Sequence, residues 1–424
     1  MWRIKYVKYF SVLLGLAIFL NLSCQSRFSS RLVTAAEINK EQAAKQVRAS
    51  ARTSYIHYIP DPARPELQPQ RTIRVNVHFM NSKNGSQNYG PEEAPEFGRK
   101  LIAGANELLR ANQKMWLPLG NTTPVLFPNY QLQLATSQGY NREGGIYCHK
   151  DDDLFYFVTK GRNRNHYSRD VIKEYGIGLD SILNLFVMPH HPDSIKSPTY
   201  SVTTSGIALG TGVKLSGIFE NGKQAYSYRG LVNHEIGHVL GLNHSWSGND
   251  GCEDTPKHRN CWNRSKDGPC ATEASNNLMD YNAKQHAWTP CQIGKIHLGF
   301  AREGSKSRKL LVKDWCTKRE GHTVIVSRDE TWAGAKDLAG DIVVKSGARL
   351  EIQSRVSLPA GGKISVEPGG ELVLRSGKLH NACGYIWQGI EVLERDTDVG
   401  KVTFIGTPTF ENTSEEFTAA LLEE

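Results

Sequence analysis

Beyond its first 24 residues the chain has no run of 18 apolar residues, which excludes a helix that spans a membrane from the rest of it. It also lacks a strong charge of either sign. Lys and Arg number 51 against 43 Asp and Glu, a formal net charge of +8 that falls to +5 without Arg3, Lys5 and Lys8. Over 424 residues that excess argues for no polyanionic partner. The one basic stretch, with Arg302, Lys306, Arg308, Lys309 and Lys313, lacks the interleaved aromatics of a nucleic-acid surface and reads as a solvated connector. Paired Cys-x-x-Cys ligands are missing too, so a structural zinc site closed by thiolates is disfavoured.

What the N-terminus does have is an address. Arg3, Lys5 and Lys8 precede an apolar stretch from Phe10 to Leu22 that is too short for a stable membrane helix and suits a secretory signal. Leu22-Ser23-Cys24 resembles the end of a bacterial lipoprotein signal, in which Cys24 is acylated after cleavage; Asn21 departs from that pattern, and ordinary cleavage nearby is the alternative. The expectation is an exported protein, tethered to a membrane only through lipid on Cys24 or free outside the cell. Export permits disulfides. Cys252, Cys261, Cys270 and Cys291 crowd a stretch with little apolar periodicity, where two disulfides would hold shape that a core could not, in any of three connectivities. Cys148, Cys316 and Cys383 have no evident partners, and seven cysteines besides Cys24 leave one unpaired.

Residues 234–244 carry the chemistry: His-Glu-Ile-Gly-His-Val-Leu-Gly-Leu-Asn-His. On a helix His234 and His238 project from one face a turn apart, so two imidazoles can meet one metal ion. Glu235 points along the same cleft as a candidate general base and not as a ligand. Gly241 can take the positive φ that ends the helix and swings His244 round as a third ligand. Three neutral imidazoles with a fourth position open make the arrangement of a catalytic Zn2+ site.

This run resembles the zinc motif of the metzincin metallopeptidases. Asn276-Asn277-Leu278-Met279-Asp280-Tyr281 is similar to their methionine turn, and Asp254-Thr255-Pro256 with Met-Asp-Tyr resembles the pappalysin/cytophagalysin branch. The resemblance covers roughly residues 71–300. It implies an endopeptidase acting on protein or peptide substrates, with Met279 as the apolar floor under the histidines and Tyr281 as the hydrogen-bond donor to the transition-state oxyanion. It also implies calcium beside the cleft, with Asp250, Asp254 and Thr255 as oxygen ligands. Against that, Asn282-Ala283-Lys284-Gln285 stands where relatives are acidic, and the same oxygens could simply cap a turn. Two other functions stay open: an idle binding platform on the same scaffold, and zinc-dependent hydrolysis of a non-peptide amide. The retained Glu235 counts against the first.

The expected organisation is a signal at 1–24, a spacer or short pro-segment at 25–70 with no zinc-blocking Cys, a metallopeptidase domain at 71–300, a linker at 301–335 and a β-rich module at 336–424. The catalytic part should be α+β, a twisted mixed sheet with a backing helix, the zinc helix and the Met turn. Ile73, Val75, Val77 and Phe79 alternate as a half-buried strand, and Phe97, Leu101, Ala105, Leu108 and Leu109 recur at helical spacing after Pro95. Tyr130 to Leu134 and Ile182 to Met188 read as strands, and Ser205 to Leu215 as a bent edge strand beside the cleft or a core hairpin. Val344, Gly347, Leu350 and Ile352 recur as Val366, Gly369, Leu372 and Leu374, an offset of 22 that suggests coils of a β-solenoid; a small β-sandwich is the alternative.

Overall fold

The computed structural model describes residues 28–33, 54–135 and 144–414; the leader and Cys24 lie outside these. The chain is mixed α/β, and a β-rich region makes up its C-terminal part. After β1 (Phe28–Leu32), the next strand, β2 (Arg71–Asn81), is the axis of the first sheet. The backing helix α1 (Ala94–Arg110) starts with Pro95 in its first turn and is followed by β3 (Tyr130–Leu134) and β4 (Ile146–Lys150). Both pair in parallel with one edge of β2, and β5 (Leu183–Met188) pairs with the other. A hairpin of β6 (Ser205–Leu209) and β7 (Gly212–Ser216) completes the order β3-β2-β5-β7-β6. The stretch expected as a bent edge strand is thus two strands: β7 is internal and β6 alone forms the edge.

One face of this sheet, with Ile73, Val75, Val77 and Phe79 of β2, packs on Leu101, Ala105, Leu108 and Leu109 of α1 and on Val232 and Ile236 of the helix that follows the hairpin. The other face is covered as well. Met80, Phe186 and Met188 pack under Phe155, Phe157, Val171 and Ile172, so β2 is buried on both sides and not half-buried as its alternation implied. Of its polar alternates, His78 bonds Asn184 Oδ1 at 2.8 Å, and burial pushes the imidazole down to about 3.

The C-terminal strands fall into three sheets. Val324–Val326, Ile342–Val344, Lys363–Val366 and Gly389–Arg395 pair in parallel in the first. Glu330–Trp332, Arg349–Ile352, Glu371–Arg375 and Lys401–Ile405 do so in the second. Short strands near residues 336, 356, 379 and 410 form the third. The repeat read from sequence is the pairing register itself, with Val344 beside Val366, Leu350 beside Leu372 and Ile352 beside Leu374.

Two expectations about spacers differ from the structure. Within 25–70, β1 pairs antiparallel with Gly389–Arg395, and the 3-10 turn Tyr55–Tyr58 packs on the helix Pro290–Ala301. Within 301–335, Leu310, Leu311, Trp315 and Cys316 join the first core, while Val324, Val326 and Trp332 join the second. The basic residues misled because one of them is ion-paired across the seam and mostly shielded from solvent. Arg308 donates to both carboxylate oxygens of Asp337, at 2.6 and 2.9 Å, and Arg355 donates to the same oxygens. Cys316 also has a partner, in a disulfide with Cys383.

Candidate metal centre

The helix α2 (Arg229–Val239) turns Val232 and Ile236 into the core and leaves His234 and His238 on the opposite side. It ends because Gly241 takes φ +95°, a backbone that side-chain-bearing residues rarely adopt. There the Gly241 N–H donates to His238 O at 3.0 Å and the Leu242 N–H to Gly237 O at 2.9 Å. The reversal brings His244 back over the helix.

The three Nε2 atoms lie 3.2 Å (His234–His238), 3.0 Å (His238–His244) and 3.3 Å (His244–His234) apart. Nδ1 of His234 is 2.6 Å from Leu278 O, and Nδ1 of His238 is 2.9 Å from Leu242 O. A carbonyl only accepts, so both Nδ1 atoms carry hydrogen and both Nε2 atoms present lone pairs. Lone pairs do not hydrogen-bond one another, so a cation is the natural occupant of their meeting point. A tetrahedral ion held at ordinary zinc–nitrogen distances separates its ligand nitrogens by about 3.3 Å. The donor set could therefore hold a metal. Burial, and then the neighbouring His238, lower His234 to about 3 and His244 to about 4, so all three rings are neutral near pH 7.

Glu235 is buried against β6 and accepts from the Ala208 N–H; burial pushes its carboxyl up to about 8. Gly206 admits it, since a Cβ there would stand 2.6 Å from Glu235 Oε1. Met279 is fully buried beneath the helix, where a Cβ on Gly237 would come within 2.4 Å of its sulfur. Tyr281 is half-exposed, its ring centroid 4.7 Å from His244 and 5.8 Å from His234. Burial, then the charges of Glu235 and Tyr167, raise its phenol above the usual range.

Asp250, Asp254 and Thr255 are gathered elsewhere, around the Cys252–Cys291 disulfide. Thr255 donates to Asp250 Oδ2 at 2.7 Å, Lys295 takes the Asp250 carbonyl, and Asp254 Oδ2 accepts the Cys291 N–H at 3.0 Å. These bonds cap a turn, and Asp254 Oδ1 is buried there without a hydrogen-bond partner among the described residues. The second disulfide is Cys261–Cys270, which resolves the three connectivities; among the described residues Cys148 is free.

Sequence reasoning missed the frame that holds the Met turn. Asp280 Oδ1 accepts from Ser245 Oγ at 2.6 Å and Trp246 N at 3.1 Å, and Oδ2 lies 2.9 Å from His258 Nε2. Asn277 Oδ1 accepts the Met279 N–H at 2.8 Å and exchanges amide bonds with Gln292. Trp246 stacks on His244 with centroids 4.1 Å apart. The available signal was polar residues, Asn276, Asn277 and Asp280, inside a motif whose Leu278 and Met279 must be buried.

Residues 212–301 match the peptidase family model described as Pregnancy-associated plasma protein-A. Over that span the protein is pappalysin-like. No match was found among curated proteins. Among solved structures, the chain is similar to mirolysin in complex with compound 9, at 20% identity and TM-score 0.41, covering 57% of this chain and 97% of that one. It is similar at the same identity and TM-score to Tannerella forsythia mature mirolysin in complex with a cleaved peptide, covering 57% and 96%. Tannerella forsythia promirolysin is similar at 18% and TM-score 0.40, covering 58% and 86%. No helix of the described residues is long and apolar enough to cross a membrane.

Proposed function

We propose that this protein is an exported zinc endopeptidase in which His234, His238 and His244 hold the metal and Glu235 is the general base. The observation that carries the reading is the convergence of three Nε2 atoms beside a buried carboxylate that no cation of the described residues neutralises. When bound, zinc supplies Lewis acidity: it acidifies water and polarises a carbonyl. The dipositive charge also favours ionised Glu235, offsetting the burial that raises it. Glu235 then takes the proton of the attacking water and returns it to the leaving amine. Tyr281 donates its phenol hydrogen to the oxyanion. The Leu278 and Leu242 carbonyls hold two of the rings in the ligating tautomer throughout.

An extended substrate would add to the outer edge of β6, which pairs only with β7 among the described strands. The C-terminal strands, one from each repeat in each of three sheets, we read as a β-solenoid that contributes docking surface and no catalytic group. Its unit would begin near residue 324, ahead of the boundary the repeat suggested. Export, with acylation of Cys24 as the anchor, is tested by Cys24→Ser, which should release the protein from a membrane fraction and block lipid labelling. The catalytic reading is tested by metal analysis with peptide cleavage. One zinc per chain is expected in the wild type and none in His238→Ala, with chelation abolishing cleavage and added zinc restoring it. Wild-type protein that binds zinc yet cleaves no peptide would sink it.

A further inference from the structure

The loop between Val158 and Asp170 carries Lys160, Arg162, Arg164 and Arg169 and no carboxylate until Asp170 itself. Such a run usually reads as a solvated surface, yet this one is held rigidly. Asn165 closes it, accepting the Val158 N–H at 3.0 Å and donating to Tyr156 O at 2.8 Å. Lys214 of β7, itself buried, donates to Asn165 O at 2.8 Å and Ser168 O at 2.9 Å. Lys214 is paired with Ile207 of β6, so the loop is bolted to the hairpin that borders the metal centre. At one end Arg169 lies against Gly210 in the hairpin turn.

At the other end the loop tip lines a cavity of about 690 Å³. Thr159, Lys160 and Arg162 form one wall; His191, Tyr200 and Thr203 belong to the other. The walls are joined, because the Tyr200 hydroxyl reaches Thr159 and lies 2.7 Å from Nδ1 of buried His190, whose Nε2 is 3.0 Å from Thr203 O. One carboxylate, Asp193, lies on the lining, and its Oδ1 is 3.5 Å from Lys196 Nζ. Lys160 and Arg162 have no ion-pair partner among the described residues. Thr203 stands three residues before Gly206, the residue that backs Glu235. At ~3.3 Å per extended residue, a peptide paired along β6 would bring a side chain to this cavity about two to four residues from the scissile bond.

We propose that Lys160 and Arg162 form a substrate subsite for an Asp or Glu side chain, making the enzyme selective for peptides acidic at one position two to four residues from the cut. This rests on the endopeptidase reading above. The chemistry is rim charge recognition: two exposed cations on a pre-ordered loop attract a carboxylate and shed little entropy on engaging it. Two such pairs, each worth a few-fold, should together favour the acidic peptide by on the order of tenfold in kcat/KM, less at high salt.

The test uses the zinc-loaded full chain and a fluorogenic peptide set in which Asp, Ala or Lys is placed at each of four positions on either side of the bond. Asp should be preferred at one position on one side only. In the double variant Lys160→Ala/Arg162→Ala, the Asp and Ala peptides should be cut equally, with the Ala peptide cut as by wild type. The charge reversal Lys160→Glu/Arg162→Glu should turn the preference toward Lys at that same position. Binding of the Asp and Ala peptides to the zinc-loaded Glu235→Gln protein, read by fluorescence anisotropy, should show the same discrimination without turnover. Cleavage with no acidic preference, or a preference that survives both variants, overturns the subsite and leaves the peptidase reading standing. No cleavage of any peptide by wild type overturns both.

Discussion

Asp337 should be among the most stabilising polar residues in the protein, because it closes the seam between the N-terminal sheet's core and the C-terminal strands. Its carboxylate is 5% exposed and accepts four bonds, from Arg308 at 2.6 and 2.9 Å and from Arg355 at 2.6 and 3.2 Å. Its backbone carbonyl takes a fifth from Arg71 at 2.9 Å. Asp337→Ala strands two guanidiniums at the seam: Arg308 keeps its bond to Phe300 O, and Arg355 keeps its bond to Ala301 O and lies 3.4 Å from His380 Nε2. Breaking one buried pair costs ~3–5 kcal/mol, and the surviving carbonyl bonds argue for the lower half of that range despite two partners being lost. Against a total of roughly 5–15 kcal/mol this would move the urea midpoint far. Trp315, flanked by Arg71 at 5.0 Å and Arg308 at 4.7 Å, should report it by fluorescence. The pH signature follows. Burial raises the Asp337 carboxyl, but Arg355 and Arg308 overturn this and hold it far below the usual carboxylate range. A depressed folded value means the stabilisation is complete above about pH 4 and drains away as pH falls below it. Wild type should therefore lose stability more steeply than Asp337→Asn on acidification. A loss under about 1 kcal/mol for Asp337→Ala at pH 7, or parallel acid profiles, would refute the reasoning.

Gly237→Ala places a methyl 2.4 Å from Met279 Sδ and 2.9 Å from the Trp288 ring, so it should cost ~1–3 kcal/mol and weaken zinc binding by shifting the Met turn; calorimetry and a zinc-competition titration check both. The paired change Cys252→Ser/Cys291→Ser opens a link of sequence separation 39, which chain entropy values at about 4 kcal/mol. Proteolysis should then cut first between residues 252 and 291, while the same change at Cys261 and Cys270, separated by 9, should cost less.

The centre was legible because its geometry is local. Histidines four apart on a helix, and a glycine that ends it, carry the third histidine with them at a fixed distance in sequence. The 22-residue offset was legible for a similar reason, since the parallel strands pair each residue with its counterpart in the next repeat. Burial of charge was not. Arg308 in a basic run resembles a solvated connector until the fold delivers Asp337 and Arg355 from later in the chain. His78 and Asn76 likewise alternate like a solvent-facing strand, because nothing in β2 reveals that residues 155–172 cover its second face. Cys316 and Cys383, 67 apart, could be paired only by the fold.

The most direct test of the proposed mechanism is peptide cleavage by wild type and Glu235→Gln at matched zinc content. Gln keeps the shape and the contact with β6 but cannot take a proton, so zinc should stay near one per chain while the rate falls by ~10²–10⁴-fold or more. Equal rates at equal zinc would remove Glu235 from the chemistry and contradict the reading of this site.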